Sequence, residues 1–105
     1  MMKLAAVFVL VVAQTALAQA AQLPRFNIAA TCREAQPLTG DKSVYQSCVS
    51  EEMSARRKLA RTWSTYKPSW QTSCVGEAET AGTPSYVDLL TCLQLDKEAG
   101  ALPQQ

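Results

Sequence analysis

The chain is 105 residues long and carries ten Lys/Arg, nine Asp/Glu, no histidine and four cysteines. So even a charge balance excludes a nucleic-acid binder that works by strong basic excess, because phosphate binding depends on displacing many counterions. The absence of histidine removes the commonest general base and the usual partner of cysteine in zinc sites and thiolate activation.

Met1, Met2 and Lys3 make a short positive start, Leu4 to Ala13 is an unbroken apolar run, and Ala16-Leu17-Ala18 gives the small-x-small pattern of a signal-peptidase site. Residues 1–18 are expected to be a signal peptide cut before Gln19, with the Ala20/Ala21 bond as second choice. An apolar run of this length covers about 15 Å as a helix, short of the roughly 20 residues a bilayer core needs. No membrane span is therefore expected in the mature chain, and its location is expected to be exported, periplasmic or secreted. No cysteine follows the cut, so a lipid anchor is unsupported. Residues 19–105 are expected to be a single domain, ordered over about 27–98, with nine basic and nine acidic side chains. Eight of the basic groups and four of the acidic ones fall in 19–73, against one and five in 74–105. The two parts either attract each other across the fold or make a dipolar binding surface.

After an Ala/Gln-rich leader, Asn27 can cap a short helix over 28–35 that stops at Gln36-Pro37, and Leu38-Thr39-Gly40 reads as a loop. Asp41 then caps a long helix running to Tyr66, which Pro68 ends by pushing Lys67 out of helical geometry. Ser69 can restart a helix through about Ala78, and Gly82 breaks it. Thr83-Pro84 combines a capping oxygen with a proline at the first helical position, opening a last helix to about Glu98, and Gly100 to Gln105 reads as a frayed tail. No alternating strand pattern occurs. On the long helix Val44, Tyr45, Cys48, Val49, Met53, Ala55, Leu59, Ala60, Trp63 and Tyr66 share one half of the wheel, and on the last helix Tyr86, Leu89, Leu90 and Leu93 share a narrow arc. The expected fold is all-α: a small bundle of three to four helices, a long hairpin with the last helix packed into it, stapled by two disulfides.

A domain this small has a marginal core, and exported domains commonly add covalent staples. Cys32, Cys48, Cys74 and Cys92 meet that need. From Cys48 to the turn at the far end of the long helix is about 27 Å, and Cys74 returns only about 8 Å. Bridged Cα atoms lie within roughly 7 Å, so Cys48–Cys74 is excluded on this drawing. Cys32–Cys48 with Cys74–Cys92 is the preferred pairing, and Cys32–Cys74 with Cys48–Cys92 remains the alternative. There is no Cys-x-x-Cys for dithiol exchange, so the cysteines are expected to be structural, with no metal and no cofactor.

No motif sets a base beside a Ser or Cys nucleophile. Glu51/Glu52 and Glu77/Glu79 diverge on their helices rather than facing a shared cleft, so a catalytic acid pair is not expected. Glu52 and Arg56, four apart, interrupt the apolar face of the long helix. They read as a one-turn ion pair whose heads reach solvent or a helix terminus, or as a polar spot that fixes the register of a partner or holds a polar ligand. Trp63, Tyr66 and Trp70 bracket the Lys67-Pro68 turn. Trp63 and Tyr66 are expected to plug the top of the hairpin, while Trp70, with Arg61 nearby, is a candidate anchor for a partner. Arg56-Arg57-Lys58 reads as a solvated basic face, with attraction to an anionic surface as the functional alternative.

Tyr86-Val-Asp-Leu-Leu-Thr-Cys-Leu93, Cys48-Val-Ser-Glu-Glu-Met-Ser-Ala-Arg56 and Trp63-Ser-Thr-Tyr66 resemble segments of small exported four-cysteine proteins of alphaproteobacteria, a group that lends no activity. In cysteine spacing the chain is also similar to lysozyme-inhibitor-type helical domains, where an early cysteine pairs with one beginning a long helix, as Cys32 and Cys48 could; no inhibitory loop carries across. The expected function is a non-enzymatic envelope protein that binds another protein through Trp70, Arg56, Arg57, Lys58 and Arg61. The alternatives are an inhibitor of a secreted hydrolase such as lysozyme, and an enzyme of unknown type.

Overall fold

The computed structural model describes residues 22–36, 40–80 and 82–103. The expected signal peptide and both cleavage positions lie outside the described residues, as do Leu38 and Thr39 of the expected loop. In chain order the helices are α1 (Ile28–Ala35), α2 (Lys42–Thr62), α3 (Pro68–Thr80) and α4 (Tyr86–Ala101), and a 3-10 turn (Trp63–Thr65) continues α2. There is no strand among the described residues.

Two helix starts fall where the capping residues put them. Asn27 Oδ1 accepts the Ala30 N–H at 3.0 Å, and Asp41 Oδ1 accepts the Ser43 N–H at 2.9 Å and the Ser43 hydroxyl at 2.7 Å. The bonds from the Ala30 and Ser43 amides each satisfy an N–H that the first helical turn leaves without a partner. Gly40, at φ 74°, turns the chain into the Asp41 cap in a conformation that favours glycine.

The other boundaries differ from expectation for local reasons. The α-helical part of α2 ends at Thr62, and its last turn tightens to 3-10 before Tyr66 becomes extended (φ −90°, ψ 141°). Helix α3 begins on Pro68 itself rather than Ser69, because a proline at the first helical position has no N–H to leave unsatisfied. The Lys67 carbonyl takes the opening bonds from the Trp70 and Gln71 amides at 3.0 and 3.1 Å. The start of α4 is capped by Ser85, not by Thr83 ahead of Pro84: Ser85 Oγ accepts the Asp88 N–H at 3.3 Å. The Thr83 hydroxyl is committed elsewhere, donating to Glu34 on α1. Helix α4 continues to Ala101, so Gly100 is helical and not part of a tail.

Helix α1 packs on α2, and α4 packs on both α2 and α3. Ala55 and Leu59 from α2, Tyr66, Cys74 from α3, and Tyr86, Leu89 and Leu93 from α4 form one buried cluster. The α4 arc is the one its sequence predicts, with Leu90 half-buried at its edge. On α2 the buried stripe (Glu52, Ala55, Leu59) is narrower than the apolar half of the wheel, and Val44 and Met53 at its margins are each 37% exposed.

The disulfides are Cys32–Cys48 and Cys74–Cys92, with Cα separations of 5.5 and 5.7 Å. This is the preferred pairing. One bridge ties α1 to α2 and the other ties α3 to α4, so together with the α2–α4 packing every helix is held to a neighbour. Two oxidised pairs are compatible with an exported protein. No helix among the described residues is long and apolar enough to cross a membrane.

Candidate functional site

Glu52 stands in the buried stripe of α2 with only 4% of its surface exposed. A carboxylate there is costly unless its oxygens are hydrogen-bonded. Its partners lie 33–35 residues away, at the start of α4: Ser85 Oγ donates to Oε1 at 2.5 Å, the Tyr86 N–H to Oε2 at 2.6 Å, and the Val87 N–H reaches Oε1 at 3.5 Å. Glu52 therefore caps another helix, placing negative charge at the positive end of the α4 dipole. Arg56 is exposed and forms no ion pair with it among the described residues. Of the two readings of this pair, Glu52 fits the carboxylate that reaches a helix terminus, while Arg56 is left free.

Immediately beyond this cap, Tyr86 (2% exposed) fixes the segment ahead of α1. Its hydroxyl donates to the Pro24 carbonyl and accepts the Phe26 N–H, both at 2.9 Å, and its ring lies 4.8 Å from that of Phe26. Thr31 on α1 adds a bond to the Pro84 carbonyl at 2.7 Å. The leader, expected to be ordered only from about residue 27, is thus laid along α2 and α4 from Leu23 onward.

That placement creates a hollow of about 530 Å³ between the segment and α2. Leu23, Pro24, Phe26 and Ala60 provide apolar lining, and Arg25, Arg56 and Arg57 line it as well. All three arginines are exposed, and among the described residues none has an ion-pair partner and no carboxylate lines the hollow. Exposed guanidinium groups offer planar, forked donors suited to carboxylate and phosphate oxygens. The only hydroxyl lining it, that of Tyr86, already has both its bonds filled within the chain.

The residues singled out from the sequence are divided by the fold. Arg56 and Arg57 belong to this hollow. Lys58 faces a different depression, lined by Ser54, Ala55, Val87 and Leu90. Arg61 is exposed one turn along from Arg57. Trp70 is half-buried on α3, with Lys67 Nζ 5.0 Å from its ring centroid. Its ring lies against Gly100, where a Cβ would come within 3.2 Å. Tyr66 is buried in the core cluster, as expected of the hairpin plug, and Trp63 packs against it partly buried. Arg25 was not among the sequence candidates. Its signal was Leu23 and Phe26, two large apolar residues just ahead of a helix cap in a stretch otherwise read as leader.

The charge segregation is spatial as well as sequential. Glu77, Asp88 and Asp96 line a separate hollow on the α3–α4 side. Cys74, Cys92 and Asp96 bring ligand-type atoms within 4.8 Å of one another, but in the oxidised chain both sulfurs are bonded to each other and offer no thiolate. Comparison of the chain with protein-family models, curated proteins and solved structures gives no match.

Proposed function

We propose that the chain is an exported, non-enzymatic binding module, acting in the periplasm or outside the cell, whose Arg25/Arg56/Arg57 hollow receives an acidic segment of a partner protein. One observation carries this reading: three arginines with no ion-pair partner among the described residues line a hollow that also has apolar walls. A cation cluster that merely solubilised the protein would need no such walls, whereas a partner anchors best where apolar contact and desolvated charge coincide. The disulfides and the Glu52 and Tyr86 bonds hold the lining elements together, so little ordering is left to be done on binding. Trp70, held against α4, serves as packing in this reading and not as the anchor.

The test is capture from cell-envelope extract by immobilised wild type, by Arg56→Glu/Arg57→Glu, and by Lys58→Glu as a control outside the hollow. A species retained by wild type and Lys58→Glu, lost with the double variant and released by raised salt, supports the hollow. Equal recovery of every species by all three proteins contradicts it.

A further inference from the structure

On α3, Cys74 and Glu77 are three residues apart; on α4, Cys92 and Asp96 are four apart. Each helix therefore presents one sulfur and one carboxylate on the same face, a turn apart. The pairs cross in space: Asp96 Oδ2 lies 3.4 Å from Cys74 Sγ, and Glu77 Oε2 lies 3.3 Å from Cys92 Sγ. Neither sulfur carries a proton while the bridge is closed, so each is a carboxylate held against a disulfide without a hydrogen bond. Neither carboxylate is neutralised by a cation of its own helix. Lys97, the one cation of α4, sits over the Tyr66 ring at 5.8 Å, and α3 has none. The Cys32–Cys48 bridge has no such carboxylate contact among the described residues.

We propose that the reduced form of the Cys74–Cys92 bridge is a divalent-metal site, with the two thiolates, Asp96 and Glu77 as donors and Zn²⁺ as the ion that suits them. Two sulfurs and two carboxylate oxygens match a borderline-soft ion that accepts four ligands in a tetrahedron. Donors spaced one turn apart on facing helices are how helical bundles assemble metal centres. With the two Cα atoms 5.7 Å apart, rotation of the cysteine side chains seats the sulfurs roughly 3.7 Å from one another around the ion. A dithiol reductant supplies two electrons and two protons to the bridge, giving two thiols and its own disulfide. Zn²⁺ then displaces both thiol protons as the Zn–S bonds form, with no change in its oxidation state. Metal and cross-link are thus alternative clamps on the same two helices, one for a reducing compartment and one for an oxidising one. Counting cysteine and histidine alone spoke against a metal centre; Asp96 lies with both sulfurs inside a mutual 4.8 Å, and Glu77, 3.3 Å from Cys92 Sγ but outside that group, turns in as the fourth donor.

The test uses the full chain, reduced with a phosphine in the absence of oxygen and titrated with Co²⁺, then Zn²⁺. One Co²⁺ per chain is expected, with thiolate-to-cobalt charge-transfer bands and tetrahedral visible bands that Zn²⁺ abolishes. The Glu77→Gln/Asp96→Asn double variant is expected to bind at least about tenfold more weakly, and Cys32→Ser/Cys48→Ser to bind as wild type does. The proposal is overturned if the reduced chain shows no cobalt–thiolate band. It is equally overturned if the carboxylate variant binds as tightly as wild type, the behaviour of thiols in an unfolded chain, or if the bands vanish with Cys32 and Cys48.

Discussion

Glu52, on the second helix, accepts the backbone N–H of Tyr86, the first residue of the fourth, at 2.6 Å. The bond joins the most buried charge among the described residues to a helix end that would otherwise hide unsatisfied amides. It also orients Tyr86, whose hydroxyl in turn holds Pro24 and Phe26, so the arginine-lined hollow rests on it at one remove.

Glu52→Ala leaves the Tyr86 amide and the Ser85 hydroxyl buried without this acceptor. Hydrogen bonds to charged groups contribute about 1.5–3 kcal/mol, and a lost helix-terminus charge adds to this. A destabilisation of about 3 kcal/mol is expected by urea unfolding, with Glu52→Gln milder because its amide oxygen still accepts from Tyr86. A Glu52→Ala protein as stable as wild type would show that the cap contributes nothing.

Tyr86→Phe keeps the ring against Phe26 and removes only the hydroxyl. The loss is expected to cost about 1–2 kcal/mol and to release the residues ahead of α1. Hydrogen exchange at the Phe26 amide should then accelerate well beyond the change in global stability. Exchange at Phe26 that tracks global unfolding alone would mean that the segment is held by something else.

The acid response of α2 follows from its cap. The Ser43 hydroxyl, and after it the Ser43 N–H, hold the Asp41 carboxyl below its ordinary 3.8. Because the folded value is depressed, the stabilisation is present above the unfolded value and is lost as pH falls through the folded one. A carboxyl-detected NMR titration should place the Asp41 midpoint below 3.8, with the Ser43 amide shifting alongside it. Asp41→Asn should abolish that transition. A midpoint at or above the ordinary value contradicts the cap.

The bridges close loops spanning separations of 16 and 18 residues, short enough that each is expected to contribute about 3 kcal/mol. Replacing either pair by serine should lower the unfolding midpoint by a similar amount. Losing Cys74–Cys92 should in addition loosen α3, leaving it held by its packing on α4 and by Gln71 Nε2 donating to the Trp63 carbonyl at 2.8 Å. Identical loss of helix signal in both variants before global unfolding would argue against that difference.

What could be read from the sequence was what is decided within one or two turns. Asn27 and Asp41 announce their helices because a cap bonds to residues two or three ahead, and helix rise excludes a Cys48–Cys74 bridge, while the choice between the two remaining pairings is made by the fold. The start of α4 was misplaced because Thr83-Pro84 has the form of a helix start, while Thr83 is occupied by Glu34, 49 residues away. Glu52 was visible as an anomaly on an apolar face, but its partners lie on another helix and no local pattern names them. The hollow was half legible: Arg56 and Arg57 were singled out, yet Arg25 joins them only because Tyr86 pins a segment 60 residues earlier in the chain.

An exported scaffold braced by two local cross-links is tested most directly by mass mapping of the unreduced protein isolated from its native compartment after alkylation. The account predicts an N-terminus at Gln19, no alkylated thiol, and two linked peptide pairs, Cys32 with Cys48 and Cys74 with Cys92. Alkylated cysteines, a Cys32–Cys74 link, or an N-terminus still carrying residues 1–18 would contradict it.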